Sequence, residues 1–381
     1  MKELQTILRE FTRLKQENLA AVLATVVDVE GSGYRLPGAK MLIAETGETY
    51  GTVSGGCLEA DVLERAKEVL KTGAPQVLTY DTTANIDSVF SLNMGCNGIT
   101  RILLEPAGDN KYFEFVESCF RTRKSGVVAT LLAAGGENRL QTGARYFFGG
   151  AENENENLMP DSGDEFEKNL FAEAATLLPD GDSHCRIYET DSNYSVEFFL
   201  ELVAPPQRII IFGAGYDAIP LVNFAKSLGW IVSVADHRAA YLTTERFPKA
   251  DEIILSQPED LAEKLKIDAQ TAAVLMTHNY EKDREVLRFL LPFNLQYIGA
   301  LGPKRRTENL LRELKTECDH FSEFQLNKLF APVGLDIGAK NPETIALSII
   351  AEIQSVLANR GGGFLRNRRG SIYERGVGGA D

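Results

Sequence analysis

Arg208-Ile209-Ile210-Ile211-Phe212-Gly213-Ala214-Gly215-Tyr216-Asp217-Ala218 decides the fold of the second half of this chain. An apolar run too short for a helix breaks at a glycine turn, and helical periodicity follows through Leu221 to Leu228. A second apolar run, Ile231 to Ala235, ends in Asp236. Gly213 permits the tight turn, and Gly215 lets a pyrophosphate approach backbone N–H groups at the positive end of the helix. Asp236, about 20 residues on, stands where a ribose hydroxyl is read in dinucleotide-binding folds. Arg238 lies two residues further and leaves NAD against NADP open. The alternative is a Rossmann domain that has lost its dinucleotide.

Strand-like segments recur outward from this point at Glu252 to Leu255, Ala273 to Thr277 and Tyr297 to Leu301, with helical segments between them. That alternation predicts a parallel sheet with crossover helices over residues 207–358. The last helix, Pro342 to Leu357, carries Ile345, Ile349, Ile353 and Val356 as one stripe facing the sheet. Residues 359–381 are rich in Gly and Arg and are expected to form a flexible tail. Thr277-His278-Asn279-Tyr280 and Gly302-Pro303-Lys304-Arg305-Arg306 fall at the carboxyl edge, where ligands of open α/β sheets gather. Gly213, Gly215, Asp217, Asp236, His278, Lys304 and Arg305 are therefore candidate cofactor-binding residues. For each basic residue the alternative is a solvated helix terminus.

The first half, residues 1–203, predicts a mixed α+β domain, so the fold class is α/β with a Rossmann-like parallel-sheet domain at the C-terminal end. Leu4, Ile7, Leu8, Phe11 and Leu14 predict an amphipathic helix, and Ala20 to Val29 a strand ending at the glycine-rich loop Gly31 to Gly38. Lys40 to Ala44 and Thr49 to Val53 read as a hairpin. After Gly55-Gly56-Cys57, the residues Leu58, Val62, Leu63, Ala66, Val69 and Leu70 make one helical face, which puts Cys57 at a helix start. Met94-Gly95-Cys96-Asn97-Gly98 precedes a strand at Ile99 to Leu104. A helix near Phe113 to Phe120 and strands near Val127 to Leu132, Arg145 to Phe148, Arg186 to Tyr188 and Val196 to Leu202 follow. Residues 151–164 are acidic, Asn-rich and poor in bulky apolar groups, which suits a solvated loop.

A net charge of -14 over 381 residues argues against a nucleic-acid partner. No stretch reaches the ~18 apolar residues of a membrane span. The charged first helix is unlike a signal peptide, and five cysteines without a CxxC pair are expected to be reduced thiols in a cytoplasm. Glycines let backbone come close to a bound group, so Cys57 and Cys96 are read as the chemistry-bearing thiols of Gly55, Gly56 and Gly95. A thiol at a helix N-terminus is favoured as thiolate and suits a soft metal, with Cys57 as the metal contact. Cys119, Cys185 and Cys318 read as core residues, and His184 and His320 as loop residues without evident partners. No zinc-ligand spacing, GxSxG or Walker loop is present, and two cysteines make an incomplete zinc site. A large anionic cofactor fits better, with Ser32, Arg35 and Lys40 as its anion contacts.

In order along the chain, GSGYRLPGAKMLI (31–43), GTVSGGCLEADV (51–62), MGCNG (94–98), IIIFGAGYDAIPL (209–221), ADHR (235–238), THNYEKD (277–283), YIGALGPKRR (297–306) and APVGLDIGAKNPETIALSIIAEI (331–353) resemble the XdhC/CoxI family of xanthine dehydrogenase accessory proteins. The resemblance implies a two-domain maturation factor that binds the molybdenum cofactor, a molybdopterin. Such a factor shelters the cofactor while a cysteine desulfurase supplies sulfur, then delivers it to a xanthine dehydrogenase-type molybdenum hydroxylase. Asn97, Tyr216 and Gly33-Tyr34 depart from residues common in the family. The residues alone leave two alternatives: an NAD(P)-dependent oxidoreductase using His278 or Tyr280 as acid with a redox thiol in the first domain, and a scaffold that only docks partners. They also leave open whether the chain forms a homo-oligomer.

Overall fold

A computed structural model describes residues 2–82, 98–108, 111–135, 141–150, 165–178, 181–190, 194–316, 321–369 and 372. Residues Glu3–Pro205 form one unit and Pro206–Glu374 the other. The stretches 83–97, 151–164 and 317–320, with Gly95, Cys96, Cys318, His320 and the acidic loop, lie outside the described residues.

In the first unit, helix α1 (Lys2–Gln16) uses the predicted stripe, burying Ile7, Leu8, Phe11 and Leu14. Strand β1 (Ala21–Gly31) is buried from Ala21 to Val27 because its sheet is covered on both faces. Ala21 and Leu23 pack with α1 and with α3 (Lys111–Thr122), whereas Val22, Ala24 and Val26 pack with α2 (Glu59–Thr72). The antiparallel sheet runs β3 (Thr49–Gly51), β2 (Lys40–Ala44), β1, β5 (Gly98–Pro106), β4 (Gln76–Asp81). A second antiparallel sheet orders β7 (Arg145–Gly149), β6 (Gly126–Ala134), β9 (Ser195–Val203) and β8 (His184–Glu189). It is covered by α4 (Glu165–Leu177), which buries Phe166, Leu170, Ala174 and Leu177. The sequence reading includes neither α4 nor β4. β4 is a half-exposed edge strand with little apolar contrast.

The second unit has a six-stranded parallel sheet in the order β12 (Glu252–Leu255), β11 (Ile231–Asp236), β10 (Arg208–Phe212), β13 (Thr271–Leu275), β14 (Tyr297–Ala300), β15 (Leu329–Phe330). Helices cover both faces. Ile209 and Ile211 pack against α5 (Ala218–Ser227) and α10 (Pro342–Leu357). Ile210 and Phe212 face the other core, with α7 (Tyr280–Leu290) and α8 (Lys304–Thr316). The short helices α6 (Leu261–Lys264) and α9 (Glu323–Asn327) complete the unit. The order reverses between β10 and β13, so the loops after these two strands flank the crevice where ligands of such sheets bind. Beyond α10 the described part of the tail includes one 3-10 turn, Leu365–Asn367.

Candidate functional site

The loop after β1 and the loop ahead of α2 meet in a pocket of the first unit, with Ser32, Tyr34, Arg35, Ser54, Cys57 and Tyr80 among its lining residues. Cys57 is exposed there. Its loop is held from below. Ser54 is buried, and its hydroxyl accepts the Gly56 N–H at 3.2 Å and the Leu58 N–H at 3.0 Å while donating to Glu59. Glu59 also accepts the Ser54 N–H at 2.9 Å and the Thr52 hydroxyl at 2.5 Å. Burial pushes the Glu59 carboxyl up, but the bonds from Ser54 and Thr52 outweigh it and hold it below its ordinary range. Gly55 lies against Tyr34, and a Cβ there would sit 3.3 Å from the ring, a tight contact that the exposed tyrosine would have to yield to. On the far wall Tyr80 donates to Asp61 at 2.7 Å, and burial together with that carboxylate raises its pKa.

Arg35 forks onto Glu3 through Nη2, at 2.6 and 2.7 Å. Its Nε is buried and lacks a hydrogen-bond partner. A buried guanidinium donor without an acceptor at a pocket wall fits an anionic ligand. Lys40 does not join this pocket. Its ammonium is buried 3.0 Å from Glu201 and 3.2 Å from Thr25 Oγ1, over the Tyr112 ring. Its charge is thus held inside the unit by Glu201 rather than presented to a ligand.

The remaining described thiols lie apart from chemistry. Cys119 is buried, which pushes its pKa up to about 12, and the Cys185 thiol donates to the Val27 carbonyl at 3.2 Å. His184, expected in a loop without a partner, begins β8 and has two: Glu173 Oε1 at 2.8 Å from Nε2 and the Asp182 carbonyl at 2.9 Å from Nδ1. The Asp182 carbonyl is two residues back along the chain, whereas Glu173 comes from α4, which the sequence did not mark. Among the described residues no group of three or more His, Cys, Asp or Glu could hold a metal ion.

In the second unit the structure brings Gly213, Gly215, Asp217 and His278 together at the sheet's reversal point. Gly213 has φ +121, and a Cβ on it would strike the Met276 carbonyl at the end of the neighbouring strand. His278 Nε2 lies 2.8 Å from Asp217 Oδ2, tying the loop after β13 to the start of α5. Lys304 and Arg305 are exposed at the start of α8 on the same edge, whereas Arg306 is bound to Asp283 at 2.5 Å. Tyr280 donates to Glu313 at 2.9 Å.

Asp236 differs from its expected role. Its side chain is fully buried and accepts the Ala214 N–H at 2.7 Å, the Arg238 N–H at 2.9 Å and two Arg238 guanidinium bonds at 2.7 and 3.0 Å. Burial alone would raise its pKa, but the donors from Arg238 and Ala214 lower it. The four donors fill the carboxylate's acceptor sites, so a ribose hydroxyl has no free oxygen to meet.

Sequence reasoning passed over Ser54, Glu59, Thr52 and Tyr80. The one local signal was an acidic residue in the first turn of a helix.

Comparison with known proteins agrees with both halves. Residues 14–81 match the XdhC and CoxI family, and residues 209–353 match the XdhC Rossmann domain. A Bacillus subtilis protein, named as a probable subunit of xanthine dehydrogenase, is 34% identical over 342 residues, 89% of this chain and 94% of that one. The molybdenum cofactor insertion chaperone PaoD of Escherichia coli is 24% identical over 92% of this chain and 88% of its own. A crystal structure titled as a xanthine dehydrogenase from Bacillus halodurans superposes with a TM-score of 0.70 at 30% identity, covering 94% of this chain and 97% of that one. With both units matched and near-complete coverage of these relatives, the chain belongs to the XdhC/CoxI family.

Proposed function

We propose that this protein binds the molybdenum cofactor as cargo, supports its sulfuration, and inserts it into a xanthine dehydrogenase-type molybdenum hydroxylase. The observation that carries the reading is the pocket around Cys57, where an exposed thiol stands beside the unpartnered Arg35 Nε and the Ser32 loop. A pterin phosphate carrying a sulfur-ligated metal offers one partner to each: soft metal to thiol, anion to guanidinium. The names of the relatives, an insertion chaperone and two xanthine dehydrogenase proteins, point to the same client class.

Residues 1–203 hold the cofactor through Cys57, Ser32 and Arg35, with Cys96, outside the described residues, as second thiol. Within residues 207–358 the Gly213–Gly215 turn, Asp217, His278, Lys304 and Arg305 form a nucleotide-type site of that unit by itself. A cysteine desulfurase supplies the sulfur, and the chain itself turns nothing over. An NAD(P)-dependent oxidoreductase is disfavoured by Asp236, whose acceptor sites are filled from within the protein.

Purifying the protein from cells that make the cofactor, then assaying pterin fluorescence and molybdenum by mass spectrometry, tests the proposal. Both should be present in near-equal amounts. Neither being retained, together with turnover of NADH or NADPH, would transfer the reading to the oxidoreductase.

A further inference from the structure

We infer that Glu59 is a positioning residue for Cys57, acting through Ser54. The inference deepens the reading of Cys57 given above and rests on it for its functional consequence. The geometry is a relay. Glu59 sits at the first position of α2, where a carboxylate is favoured by the helix end, and reaches back over the loop that carries the thiol. It takes the Thr52 hydroxyl and the Ser54 N–H on one oxygen and the Ser54 hydroxyl on the other. The Ser54 hydroxyl, oriented by that donation, has its lone pairs free for the Gly56 and Leu58 N–H groups on either side of Cys57. The loop's own backbone donors are thereby turned inward, and Cys57 is left facing the pocket.

The Ser54 N–H and the Ser54 hydroxyl both donate to Glu59, one on each oxygen, so the site favours an acceptor-only group; Thr52 Oγ1, also 2.6 Å from the Ser54 carbonyl, has one proton for two acceptors. An amide of the same shape presents an N–H₂ to at least one donor and loses that bond. Ser54 is buried, so water does not replace the relay without opening the loop. Thr52 and Ser54 precede two glycines, Gly55 and Gly56, which have no stiffness of their own. The thiol's place is therefore set by hydrogen bonds converging on one carboxylate.

The test uses the full-length protein, with Cys57 labelling by N-ethylmaleimide followed by peptide mass spectrometry. Glu59→Gln frees the Gly56 and Leu58 N–H groups on either side of the exposed thiol and removes a carboxylate two residues from it, and both changes favour the reagent. Labelling of Cys57 should quicken at least about threefold, the scale of one weakened hydrogen bond in the loop that holds it. Cys185 labelling in the same samples should not move, and melting should fall by only about 2–4 °C. Ser54→Ala should reproduce the effect and keeps the test open if Glu59→Gln does not fold. Cys57 labelling within twofold of wild type in both variants would overturn the relay. Activation of an apo-hydroxylase, measured alongside, separates the two ideas: quickened labelling with full activation leaves the relay standing and removes the role of Cys57.

Discussion

Arg238 and Asp236, two residues apart, close on each other in a fork, with Nη2 2.7 Å from Oδ2 and Nε 3.0 Å from Oδ1, while Oδ2 also receives the Ala214 N–H. The acid that reads ribose in dinucleotide-binding sheets is here an internal fastener of the glycine turn. Calorimetry with NAD and NADP should accordingly register no binding heat. Asp236→Ala should lower stability by about 2–3 kcal/mol, since it strands donors at a buried position.

The same residue gives a pH dependence with a defined sign. Its folded pKa is depressed below the ordinary value of 3.8, so its contribution is present above that value and is lost as pH falls through the lower, folded one. Wild type should therefore lose melting temperature more steeply on acidification than Asp236→Asn. Parallel acid titrations of the two proteins would argue against the fork as a source of stability.

Lys40 tests what a buried charge does in the first unit. Lys40→Ala leaves Glu201 buried without its ammonium, and removing one partner of such a pair costs about 3–5 kcal/mol. Urea unfolding should register that loss. Arg35→Ala, with Glu3 half-exposed, should change stability by no more than about 1 kcal/mol while weakening cofactor binding. The reverse order of stabilities would restore Lys40 to the anion site.

His278 adopts φ +58, a left-handed conformation that costs an L-residue about 1–2 kcal/mol. His278→Gly relieves that cost and His278→Ala does not, although both remove the contact with Asp217. The glycine variant should melt at or above the alanine variant. A lower melting point for His278→Gly would mean that the loop imposes no strain there.

Much of this was written in local pattern. The run at Ile209 to Phe212, the turn at Gly213 and the stripe on α10 predict the parallel sheet, because each buries residues at its own period. What local pattern missed is non-local. β4 is legible only from its pairing with β5, and α4, despite Phe166, Leu170, Ala174 and Leu177 at helical spacing, follows an acidic stretch that hides its start. At the site, Cys57 and the Ser32 loop stand out by their glycines. The fate of Lys40 depends on Glu201, 161 residues away; on Asp236 three of the four donors come from Arg238, two residues on, and the fourth from a backbone N–H 22 residues away. No periodicity encodes such partners.

The most direct measurement is reconstitution of an apo-xanthine dehydrogenase-type hydroxylase with cofactor-loaded protein, comparing wild type, Cys57→Ser and the Cys57→Ser, Cys96→Ser double variant at matched folding. The account predicts a fall in activation of about a hundredfold for Cys57→Ser, the scale of a misplaced reacting group, with weaker cofactor retention and an unchanged melting temperature. Cys96→Ser alone should show a smaller loss. Full activation by the double variant would contradict the thiol role and move cofactor handling to Ser32 and Arg35.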